Sequence, residues 1–189
     1  MQKIAKFEKV SYEQFKEDFM NALGDEYLMH IGILPFKFNG SDSSAIDNMI
    51  SRIYDGIKLP KRATISSAGY DFFAPFRIII DPGKSIKFPT GIRVSIDDGW
   101  VLKCYPRSGL GFKYRMQLDN TIGIIDGDYY NSDNEGHIMA KFTNDGRDGK
   151  RIDVKAGDGY MQGIFVEYGI TKDDYTDGIR NGGFGSTTK

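Results

Sequence analysis

Two polar clusters in the sequence carry side chains with chemistry of their own. In YPRSGLGFK, residues 105–113, Arg107 and Ser108 stand beside Gly109 and Gly111. A glycine-bearing turn of this kind can aim backbone N–H groups, a hydroxyl and a planar guanidinium at one anion. Arg-Ser-Gly is common in loops, however, and alone it specifies no ligand. In GIIDGDYY, residues 123–130, an apolar strand ends on Asp126, Asp128 and Tyr129. Carboxylates there can bind a metal, hold a hydroxyl or act as a base, and they serve equally as turn residues. A third stretch, NGGFGSTTK at residues 181–189, sets Phe184 among glycines with Ser186, Thr187 and Thr188 behind it. Glycine carries the largest ordering entropy, so such a tail is expected to stay loose. A single ring and a row of small donors are unexpected cargo for it.

Behind these clusters lie two styles of sequence. Residues 11–56 read as helical. Ser11 and Gln14 in SYEQ form a capping-box pattern, followed by Tyr12, Phe15, Phe19 and Leu23 at helical spacing. SSAIDNMISRIYDG repeats the spacing with Ile46, Met49, Ile50 and Ile53 and stops at Gly56. Between them MHIGILPFKF looks extended and NGSD looks like a turn. From Lys61 onward the period becomes two: GIRVSI, HIMAKF and RIDVK alternate apolar and polar residues, punctuated by DPG, DDG, NDGRDG and AGDG. Many short strands at even spacing predict a mainly β antiparallel sandwich or jelly roll with a helical N-terminal extension.

Composition narrows the function. A chain of 189 residues with net charge -1 has no global field for nucleic acid or an anionic membrane. An anionic ligand would need local basic groups, backbone donors or a metal. The lone cysteine, Cys104, excludes an internal disulfide and suits a reducing compartment. Apolar runs are too short to cross a bilayer, and MQKIAKFEKV lacks the apolar stretch of a signal peptide. The expectation is a cytoplasmic protein. His30 and His137 lack metal-ligand spacing, Trp100 begins a strand, and Cys104 sits in VLKCY. Structural or surface roles are expected for all four.

The order of the polar stretches adds what no single one carries. SAGYDFFA, PRSGLG, LDNTIGIIDGDYY, GDGYMQ and GGFGSTT follow one another from Ser67. This series resembles the five motifs of the trimeric deoxyuridine triphosphatase (dUTPase) family, over about residues 57–189. The resemblance implies a jelly-roll core of the β-clip type at 57–178, a flexible lid at 179–189, and an N-terminal extension at 1–56 outside it.

It also implies hydrolysis of dUTP to dUMP and pyrophosphate, which keeps uracil out of DNA and supplies thymidylate synthesis. Asp126 matches the aspartate that orders the attacking water, and Tyr129 the tyrosine beneath the deoxyribose. Asn120 matches an asparagine that helps hold uracil, with the backbone of Gly123, Ile124 and Ile125 reading the base edge. Arg107, Ser108 and Gly109 match the phosphate-contacting motif, and Gln162 a glutamine near the α-phosphate. Asp71 matches an aspartate that meets the water shell of Mg²⁺, an ion held mainly by substrate phosphates. Arg180, Phe184, Gly185, Ser186 and Thr187 match the closing tail, which in the family reaches a neighbour within a homotrimer of shared sites. Four positions depart from the pattern: Gly159 replaces a basic residue, Asn131 replaces a glycine that a left-handed turn would favour, Arg180 falls one residue nearer Phe184 than usual, and Thr188 replaces a final glycine. Two other readings stand beside this one. One is a dCTP deaminase of the same fold, which would need a carboxylic acid, usually glutamate, at the cytosine ring. The other is a dUTPase-like regulator that binds a protein partner through residues 1–56.

Overall fold

The computed structural model describes residues 2–34, 43–178 and 180. Strand β1 (Ala5–Lys9) leads into α1 (Tyr12–Ala22), α2 (Asp25–His30) and α3 (Ser43–Gly56). Ser11 caps α1 as its sequence foretells, its Oγ accepting from Gln14 N at 3.1 Å. The reciprocal half of the capping box is not made. Gln14 Nε2 turns to Asp18 Oδ2 at 2.9 Å, and the Ser11 N–H is taken by Glu135 at 2.8 Å. One expectation is corrected here, and one element is new. The first ten residues hold a strand, and Met29 and His30 of the supposedly extended MHIGILPFKF complete α2. The NGSD turn lies outside the described residues.

The β region comprises β2 (Lys61–Arg62), β3 (Tyr70–Phe73), β4 (Ile78–Ile80), β5 (Ser85–Pro89), β6 (Ile92–Ile96) and β7 (Trp100–Pro106). A short helix α4 (Ser108–Tyr114) precedes β8 (Met116–Leu118), β9 (Gly123–Ile125), β10 (Met139–Asn144), β11 (Ile152–Val154) and β12 (Gly159–Glu167). Every pairing is antiparallel. The largest sheet runs β2-β3-β12-β7-β9, and smaller ones are β5-β10-β8, β4-β11 and β1-β6. The fold is mainly β, as the period-two pattern requires. In β6, Ile92, Val94 and Ile96 are buried while Arg93 and Ser95 point outward.

One apolar cluster joins sheets and helices. Phe15, Phe19 and Ile50 of the helices are 0 % exposed, and each such side chain contributes about 1.5–3 kcal/mol by burial. Phe19 meets Phe76 edge-on at 5.5 Å, and Phe76 continues to Phe88, Phe142 and Tyr160. The helical segment therefore completes the core rather than hanging from it. Among the described residues no helix is long and apolar enough to cross a membrane.

Candidate active site

Edge strand β9 pairs with β7 through Leu102↔Ile125 and Cys104↔Gly123, and a cavity of about 310 Å³ opens against it. Its wall includes Asn120, Gly123, Ile124, Ile125, Tyr129 and Arg180, all singled out by sequence. A tight turn delivers this wall. Thr121 sits at φ 68°, between Ile122 N donating to Asn120 O at 2.7 Å and its own N–H donating to Leu118 O at 2.8 Å. A β-branched residue with positive φ costs about 1–3 kcal/mol and is tolerated where the surroundings over-determine it. Here it aims Asn120 and the β9 backbone at one space.

Asp126 follows β9 in extended conformation, φ -81° and ψ 157°, and precedes a 3-10 turn at Gly127–Asn131. Tyr129 in that turn is buried; its hydroxyl donates to His137 O at 2.7 Å and accepts from Asn134 Nδ2 at 2.8 Å. Burial pushes its phenol up from the usual range, so the ring stays neutral. Gly136 closes the loop at φ 69°, where a Cβ would stand 2.6 Å from Tyr129 O. The left-handed conformation thus falls on Glu135 and Gly136, not on Asn131 as the motif comparison suggested. Arg180 lies over this rim, with Nη2 2.5 Å from Asp126 Oδ2 and Nε 3.0 Å from Asp128 Oδ1. A second depression of about 490 Å³ beside Trp100 is lined by Asp126, Asp128, Ile124 and Arg180, the last two shared with the β9 cavity.

A different set gathers where β3, β12 and the end of β7 meet. Asp71 and Gln162 are register partners, and Gln162 Nε2 reaches Asp71 Oδ1 at 3.5 Å. Arg107 Nε is also 3.5 Å from that oxygen. Two glycines make this possible. A Cβ at Gly69 would lie 2.3 Å from Gln162 Cδ, and one at Gly159 would lie 2.5 Å from an Arg107 guanidinium nitrogen. The departure at Gly159 therefore clears the place where Arg107 rests. Ser108 and Gly109 are exposed and open α4, so the stretch read as a turn is a helical start with Arg107 at its N-cap. The first N–H groups of a helix have no intrahelical acceptor.

The two sets do not meet within one chain. Ile125 opposes Leu102, so Asp126 falls beside Val101, whereas Arg107 stands six residues further along the same strand direction. That is about 20 Å at strand rise. Phe184, Gly185, Ser186 and Thr187 lie outside the described residues.

The cavity also uses residues that the motif reading passed over. Met139 and Lys141 line it, and Lys141 Nζ pairs with Asp119 at 2.8 Å. Their signal was present, because HIMAKF buries Ile138, Ala140 and Phe142 and must turn Met139 and Lys141 the other way. Cys104 forms part of the cavity floor, and burial lifts its thiol to about 12, which removes it as a nucleophile. His137 is fully buried, and His30 lies 3.7 Å from Asp81 and lines neither cavity described above.

The dUTPase family model matches residues 55–188. A deoxyuridine 5'-triphosphate nucleotidohydrolase of Lactococcus lactis is 38 % identical over 138 residues, covering 70 % of this chain and 89 % of its own. The crystal structure of dUTPase from Streptococcus mutans superposes with a TM-score of 0.54 at 36 % identity, over 62 % of this chain and 90 % of that one. A mutant dUTPase from phage phi11 of S. aureus, described as coordinating a structural Mg(II) ion, shares the fold at 20 % identity with a TM-score of 0.54, over 66 % and 92 % of the two chains.

Proposed function

The chain belongs to the dUTPase family and is a dUTP diphosphatase; from that premise we propose how its residues divide the reaction. The observation that carries the assignment is Arg180, which lines the β9 cavity with buried Tyr129 and holds Asp126 in the adjoining depression. The cavity takes uracil, with the backbone of Gly123, Ile124 and Ile125 against the base edge and Asn120 supporting it through an ordered water. A hairpin that close leaves no room for a 5-methyl group, and cytosine would leave backbone donors and acceptors unpaired. Tyr129 floors the deoxyribose and excludes a 2′-hydroxyl.

Asp126 orients and deprotonates the water that attacks the α-phosphorus, a contribution of about 10²–10⁴-fold. Arg180, which holds that carboxylate in the structure, moves to the γ-phosphate as the tail closes. Phe184 then covers the base, and Gly185, Ser186 and Thr187 donate to phosphate. Arg107, Ser108, Gly109 and Gln162 grip the triphosphate and stabilise charge as the bond to the leaving pyrophosphate breaks.

Mg²⁺ fits this donor set. Among the described residues no three His, Cys, Asp or Glu side chains converge on a metal position. The single carboxylate of Asp71, set beside Arg107 and Gln162, would meet the water shell of an ion held mostly by the substrate's phosphate oxygens. Such an ion screens the triphosphate and fixes one conformer.

The working unit is a homotrimer with shared sites. The separation of Asp126 from Arg107 by about 20 Å of strand supports it, because one nucleotide needs both sets. Phe112 and Ile65, 90 % and 85 % exposed, supply apolar surface for subunits to cover. We place the protein in the cytoplasm, in nucleotide metabolism. Pyrophosphate release from dUTP, dTTP, dCTP and UTP with Mg²⁺ tests the reading: dUTP alone should turn over. Uracil absorbance appearing from dCTP would favour the deaminase, and a monomer active at full rate in sedimentation would refute the shared site.

A further inference from the structure

The segment from Glu8 to Asp18 touches the loop after Asp126 at three separate points. Tyr130 Oη donates to Glu8 Oε2 at 2.5 Å. Glu135 accepts both the N–H and the hydroxyl of Ser11, at 2.8 and 2.6 Å. His137 Nδ1 lies 2.5 Å from Asp18 Oδ2. Arg93 braces the middle, its guanidinium 3.6 Å above the Tyr130 ring and 3.8 Å from Glu135.

The third contact has a defined chemistry. Gly91 N–H donates to His137 Nε2 at 2.8 Å, so that nitrogen presents a lone pair and Nδ1 carries the proton. Nδ1–H then requires an acceptor, and Asp18 supplies it inside a site where the imidazole is 0 % exposed. The backbone carbonyl of the same histidine accepts the Tyr129 hydroxyl. A helix far upstream is thereby connected, through one ring, to the floor of the cavity.

We propose that residues 8–18 clamp the loop at 127–137, and that Asp18 is a positioning residue which holds Tyr129 rigid through His137 and so sharpens rejection of ribonucleotides. The inference rests on the reading of Tyr129 as the floor of the sugar subsite. Excluding one hydroxyl sterically works only if the wall cannot yield, and about 1 Å of slack in a supporting shell is enough to lose a site's selectivity.

Asp18→Ala and Asp18→Asn separate this from general destabilisation. Asparagine keeps an oxygen acceptor for Nδ1–H, and alanine does not. In Asp18→Ala the amides of residues 127–137 should exchange hydrogen about tenfold faster, and the dUTP-to-UTP ratio of kcat/KM should fall about tenfold, mainly through KM. Asp18→Asn should recover most of both. Unchanged exchange in Asp18→Ala, or equal slowing on both nucleotides with the ratio preserved, overturns the clamp. Should Asp18→Ala not fold, Glu135→Ala at the more exposed contact decides by the same two readings. Absence of dUTP turnover in the wild-type protein would refute the proposed function instead, while the exchange result would still decide the clamp.

Discussion

Gly69→Ala places one methyl group where the structure leaves none. The added Cβ would stand 2.3 Å from Gln162 Cδ, 2.5 Å from its Nε2 and 2.6 Å from its Cγ. Contacts between such atoms settle at about 3.5–4.0 Å, so the Gln162 side chain must shift by more than an ångström. Gly69 has no left-handed φ, so its backbone accepts alanine, and the reduced freedom of the unfolded chain favours folding by about 0.4–1 kcal/mol. Gln162 is half-buried and can swing outward, so the melting temperature should move by no more than a few degrees. Activity should not be spared. Withdrawing Gln162 from the phosphate-binding set proposed for it would remove a hydrogen bond to a charged group, worth about 1.5–3 kcal/mol. That converts to roughly a 10- to 150-fold fall in kcat/KM for dUTP. Pyrophosphate release measured on Gly69→Ala, Gln162→Ala and the double variant gives the decisive comparison. If the methyl acts through Gln162, the double variant is no worse than Gln162→Ala alone. Additive losses, or wild-type turnover in Gly69→Ala, would refute the mechanism.

Asp126→Asn should lower kcat by about 10²–10⁴-fold while dUTP binding, read by fluorescence of the single tryptophan Trp100 beside it, persists; normal turnover would remove the carboxylate from its role. Asn144→Ala should destabilise by about 2–4 kcal/mol in thermal denaturation. Its buried amide donates to Ile80 O and Lys150 O, both at 2.9 Å, and accepts from Gly146 N at 3.1 Å. Acid should weaken the N-terminal clamp. Burial opposes the charge on Asp18 and Glu135, yet the bonds from His137 and Gln14, and from Ser11, outweigh it and hold both carboxyls below their usual range. Depressed acids stabilise above their unfolded values of about 4 and lose that contribution as pH falls through the folded values. The melting-temperature gap between wild type and Asp18→Asn should therefore stay level from pH 7 to about 5 and close below about 4.

Legibility followed the range of the physics. The cap at Ser11, the alternation in β6 and β10 and the glycine turns are local, and each appears in the structure where its residues predict it. AKFEK escaped because lysines and a glutamate mask a strand recognisable only by its partner β6. YPRSGLGFK holds a helix whose partly buried Leu110 and Tyr114 rest on the core, a support that its local glycine-rich pattern does not announce. Asp18 and His137 stand 119 residues apart, and neither advertises the other.

The linear order of residues was sufficient to predict a β-rich chain from its period-two alternation, and its resemblance to the dUTPase family lay in five short motifs that follow one another along the sequence. Which groups share a space was left to the tertiary structure: Gln162 over Gly69, Arg180 on Asp126, Asp18 of α1 on His137, and Arg107 about 20 Å of strand away from Asp126. Those relations arise from strand register and core packing, which depend on contacts between distant segments and form only when the whole chain is folded.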